Sequence, residues 1–86
     1  MIPQTATATE RYCHLTEMAQ GHWDKTRDME PLGCLIAADN NAGDSGHEPG
    51  TEDFARCALD SLCGAVCPRG DYRHLVPLFQ SWGFLA

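Results

Sequence analysis

Residues 57–68 read Cys57-Ala58-Leu59-Asp60-Ser61-Leu62-Cys63-Gly64-Ala65-Val66-Cys67-Pro68 and hold three of the five cysteines. They continue an amphipathic pattern that begins at Thr51. At about 100° per residue, Phe54, Ala58, Leu62, Ala65 and Val66 gather on one side of a helix, and Asp60, Cys63 and Cys67 on the other. Thr51 suits the N-cap, Glu52 and Asp53 suit the first turn, and Pro68 with Gly70 ends the run. The stretch predicts a helix over residues 51–66, with an apolar core face and an outer face bearing thiols and a carboxylate.

Three further helices are expected around it. Over residues 9–20, Tyr12, Leu15 and Ala19 form a stripe, with Thr9 as cap and Gly21 as stop; Trp23 joins the stripe if the helix continues. A charged connector follows over residues 22–28. Pro31 suits the first turn of a helix over residues 31–39, in which Leu32, Leu35 and Ile36 share a face. A buried strand is the alternative for so short an apolar run, but no partner strand is evident. Residues 39–50 contain three glycines and a proline and predict a flexible surface loop. Its Asp39, Asn41 and Asp44 hint at a calcium loop. The EF-hand template fails, because Asp44 and Gly50 stand where it needs glycine and an acid. Over residues 72–82, Leu75, Leu78, Phe79 and Trp82 form the last stripe, with Pro77 opposite, where it would kink or restart the helix. The expectation is one small all-α domain of three or four short helices, preceded by a frayed leader at residues 1–8.

The charge balance narrows the function. Twelve acidic residues against six basic ones give a net charge of −6. That argues against nucleic acid, which needs clustered Lys and Arg, and favours a protein partner with a basic face. No membrane partner is expected, since the uncharged run at residues 75–86 is too short to span and contains Pro77 and Gly83. No apolar segment follows Met1, so a cytoplasmic location is expected. An odd number of cysteines in that compartment suggests reduced thiols or metal ligands.

The pattern Cys57-x-x-Asp60-x-x-Cys63-x-x-x-Cys67-Pro68 resembles the bacterial ferredoxin run, with Asp60 in place of the second cysteine. It is similar to the single-cluster ferredoxins that carry Asp there. It also resembles the iron–sulphur segment of FAD-linked D-lactate dehydrogenases, and that similarity continues through Gly70, Leu75 and Val76. The resemblance covers about a quarter of the chain. It implies an iron–sulphur cluster on Cys57, Asp60 and Cys63 with one remote cysteine, and leaves Cys67 for a second cluster or a disulfide. No cysteine follows Cys67, so the remote ligand lies upstream, Cys34 being preferred to Cys13. The function so implied is a small electron-transfer protein or an accessory redox subunit.

Two alternatives stand beside it. Zinc could sit on Cys57, Cys63, Cys67 and His74. Or the chain is a metal-free acidic helical module that binds a protein as regulator, inhibitor or subunit. Its apolar tail, Phe79, Trp82, Phe84 and Leu85, would then supply the partner surface, with folding back on the core the favoured alternative for Phe79 and Trp82 and docking the alternative for Phe84 and Leu85. Nothing beyond the thiols points to catalysis.

Overall fold

The computed structural model describes residues 6–67 and 70–84. They form four helices, α1 (Ala8–Thr26), α2 (Glu30–Asp44), α3 (Glu52–Val66) and α4 (Val76–Ser81), with a 3-10 turn at Arg73–Leu75 leading into α4. No strand occurs among the described residues. The all-α expectation holds. The third helix is the one whose limits the sequence predicted best: Thr51 caps it, its hydroxyl accepting the Phe54 N–H at 3.2 Å.

The core lies where α1, α2 and the C-terminal segment meet α3. Phe54, Ala55, Ala58, Leu59, Leu62 and Val66 of α3 are buried against Tyr12, Leu15 and Ala19 of α1 and Cys34, Leu35, Ala38 and Ala42 of α2. The alanines matter as much as the large side chains. A single methyl at the contact lets helix backbones approach closely, while the leucines and Phe54 fill the space on either side.

Helix ends differ from the sequence expectation in three places. First, α1 starts within the predicted leader. Thr7 rather than Thr9 caps it, through a reciprocal box in which the Thr7 hydroxyl accepts the Glu10 N–H at 3.1 Å and Glu10 accepts the Thr7 N–H at 3.3 Å. Residues 1–5 of that leader lie outside the described residues. Second, α1 runs through Gly21 to Thr26, and Arg27 supplies the left-handed C-cap (φ 60°) that Gly21 was expected to provide. Third, α2 continues to Asp44, so the first half of the predicted loop is helix. Ala42 is fully buried one turn beyond Ala38, and this burial extends the helix against the weak propensity of Asn40, Asn41 and Gly43.

Polar contacts fix the ends of the bundle. The Glu52 carboxylate accepts from the Ala8 N–H at 2.9 Å and from the Thr9 N–H and hydroxyl at 3.0 and 2.9 Å. An acid from α3 thus serves the orphan N–H groups of α1, where the helix dipole also favours it. Those hydrogen bonds, with Arg56 nearby, hold the Glu52 carboxyl below the usual range. The Tyr12 hydroxyl donates to Asp39 and lies 3.0 Å from the Leu35 carbonyl, tying α1 to α2.

The C-terminal segment folds back. Pro77 sits in the first turn of α4, where its missing N–H costs nothing, so the helix restarts there. Phe79 is fully buried and meets Trp82 and Phe84 edge-on at 5.4 and 5.7 Å. Gly83 (φ 82°) turns the chain so that the Phe84 N–H reaches the Phe79 carbonyl at 3.0 Å. Gly70 marks the other tight point. A Cβ there would lie 2.1 Å from the Ala65 carbonyl oxygen, and the Tyr72 N–H bonds that same carbonyl at 2.9 Å.

Two outcomes follow. Gly70→Ala forces backbone apart at the α3 exit and should destabilise by about 2–3 kcal/mol in denaturant melts. Glu52 carries a lowered folded-state pKa, so its contribution is complete above the ordinary carboxylate range and fades as pH falls through the lowered value. Glu52→Gln should therefore melt below wild type near neutral pH, and the two melting curves should converge on acidification.

Candidate functional site

One continuous helix, α3, carries Cys57, Asp60 and Cys63, and Cys67 is its C-cap. Cys63 and Cys67 are four residues apart and so lie above one another on one face, their sulphurs 3.1 Å apart. The Cys67 N–H still bonds the Cys63 carbonyl at 2.8 Å, while its ψ of 160° takes the chain out of the helix. The hydrogen bond with Cys67, burial, and the negative charge of Cys67 as thiolate and of Asp60 push the Cys63 thiol above its usual range. The raised value lowers the fraction of Cys63 present as thiolate.

The other ligands implied by the ferredoxin resemblance stand elsewhere. Along a straight helix, Cys57 and Cys63 are separated by about 9 Å of rise and about 120° of rotation, so their thiols diverge. A cubane needs ligands that converge on one point. Cys34 is 3% exposed inside the α2 contact, and burial, aided by Glu30, pushes its thiol up to about 11. It behaves as a small core hydrophobe. Cys13 is exposed on α1, at a shallow groove of about 360 Å³ lined by Tyr12, Thr16, Phe54 and Ala55. His74, the fourth ligand of the zinc alternative, is hydrogen-bonded to Glu30 of α2. Among the described residues, no three His, Cys, Asp or Glu side chains form a group that could hold a metal ion. Among the described residues the implied ligands stand apart, and the fold brings together one pair of thiols.

The apolar tail folds back on the core. Phe79, Trp82 and Phe84 belong to the core, Trp82 being 7% exposed, because stacking the three rings on one another removes more apolar area from water than an open tail could. Leu85 lies outside the described residues.

The apolar surface lies instead on α2. Its buried side is Pro31, Cys34, Leu35, Ala38 and Ala42. Ile36, expected in the core with Leu35, turns outward and is 48% exposed, and Met29 at the N-cap is 45% exposed. With half-buried Leu32 between them, they fall at i, i+3 and i+7 on one outer stripe. Gly33, Asn40 and Gly43 share that side, and Asp39, three residues after Ile36 and seven after Leu32, stands at its edge. Exposed Asp39 and Asp44 border it, and α2 contains no basic residue. The signal was available in the sequence: once residues 40–44 are read as helix, Ala38 and Ala42 align with Cys34 and Leu35, and Ile36 is left facing out.

No protein-family model matches the chain, no curated protein matches it, and no solved structure matches it at a significant level. No helix among the described residues is long and apolar enough to cross a membrane.

Proposed function

We propose that the chain is a small acidic protein-binding module whose outer α2 face receives a basic amphipathic helix. The observation that carries this reading is the apolar stripe of Met29, Leu32 and Ile36 on a helix whose only charges are acidic. Covering Met29 and Ile36, two of the three large apolar side chains left exposed among the described residues, would remove further apolar area from water. The glycines add to the argument. Gly33 and Gly43 are helical, with nothing within 4 Å of where a Cβ would stand, so the fold itself does not require them. Each weakens the helix by about 1 kcal/mol relative to Ala, and each permits a second backbone to come close.

Charge selects the occupant. A net charge of −6 opposes a second copy of the chain and favours a cationic partner. A helix with apolar residues at i, i+3, i+4 and i+7 and flanking Lys or Arg matches both the stripe and the carboxylates beside it. An iron–sulphur or zinc centre has less support, since its implied ligands stand apart among the described residues.

The direct test titrates the isotope-labelled chain with a synthetic amphipathic Leu/Lys helix and follows backbone amide shifts. Shifts should concentrate at Met29, Leu32, Ile36 and Asn40, weaken with added salt, and vanish in Ile36→Glu, whose fold is unchanged. Shifts elsewhere, or none, would overturn the reading. Concentration-dependent shifts at the same residues without peptide would mean that a second copy is the occupant.

A further inference from the structure

The Cys63–Cys67 pair plays no part in that docking face and has chemistry of its own. We infer that it is a reversible modification site, where a small-molecule disulfide such as oxidised glutathione converts the two thiols into an intrachain disulfide. The geometry needs little change. The sulphurs are 3.1 Å apart and must close to about 2.05 Å. Residues four apart at a helix end have Cα atoms about 6 Å apart, inside the range that disulfides span. Cys67 has already left the helix at ψ 160°, so the bond strains no turn beyond it. Both thiols are half-buried rather than sealed.

The alternatives within the chain are poorer. Cys34 is buried under α2, Cys57 diverges from Cys63 around α3, and Cys13 lies on α1. No other two thiols among the described residues are in contact.

The step balances with the named oxidant. One protein thiolate attacks a sulphur of the glutathione disulfide, forming a mixed disulfide and releasing one glutathione. The second protein thiolate attacks the protein sulphur of that mixed disulfide and releases the other glutathione. Two protein thiols lose two hydrogens, and one glutathione disulfide gains them as two thiols. The product ties the last turn of α3 to the residue whose carbonyl accepts the Gly70 N–H at 2.6 Å. Oxidation would thus pin the junction from which the C-terminal segment returns to the core.

The experiment treats the full chain with oxidised glutathione, alkylates the remaining thiols, and applies intact-mass and tandem mass spectrometry. The expected product is a monomer in which three of the five cysteines are alkylated and the bond lies between Cys63 and Cys67, restored by dithiothreitol. Cys63→Ser and Cys67→Ser should each stop at a glutathione adduct on the remaining partner. A bond to Cys13 or Cys57, a disulfide-linked dimer, or stable adducts on both Cys63 and Cys67 of the wild type would overturn the inference.

Discussion

Everything in this domain leans on the buried side of α3. Its Phe54, Leu59, Leu62 and Val66 supply bulk, while Ala55 and Ala58 supply close approach, and α1, α2 and the 3-10 turn at Arg73–Leu75 pack on that helix. An 86-residue chain has little core to spare, so a helix that α1, α2 and the 3-10 turn all contact concentrates the stability in a few residues. Glu52 belongs to the same constraint. It sits in the first turn of α3 yet satisfies the first turn of α1, so the packing of the two helices and the capping of one of them are the same event.

That dependence also explains the face that thiols occupy. With the apolar stripe of α3 turned inward, Asp60 points to water, and Cys57, Cys63 and Cys67 fall at its margins. The spacing that resembles a cluster motif lies along an amphipathic helix. Such a helix sets side chains at i and i+4 side by side but spreads those at i, i+3 and i+6 along and around its axis. The pair at Cys63 and Cys67 is what remains once the helix is formed.

The sequence revealed α3, its cap, the helix class and the stripe through Leu75, Phe79 and Trp82, because each depends on local periodicity or on a single capping residue. The Thr7–Glu10 box was equally local and equally visible, but Thr9 competed for the role. What the sequence hid was decided by tertiary burial. Asn40, Asn41 and Gly43 are poor helix formers, and only the full burial of Ala42 holds them in α2. The direction of Ile36 follows from that extension. The inward fold of Phe84 depends on Gly83 reversing the chain, a turn that a short apolar tail does not announce.

The helices bury one shared apolar core, and the fold is expected to stand on that core without metal. The most direct measurement is the far-ultraviolet circular dichroism and visible absorption of anaerobically purified protein, with iron, sulphide and zinc analysis, before and after a strong chelator. A colourless protein whose helical signal and cooperative melt are unchanged by the chelator is the expected result. Visible thiolate-to-iron absorption with matching iron and sulphide, or loss of helix on chelation, would contradict it.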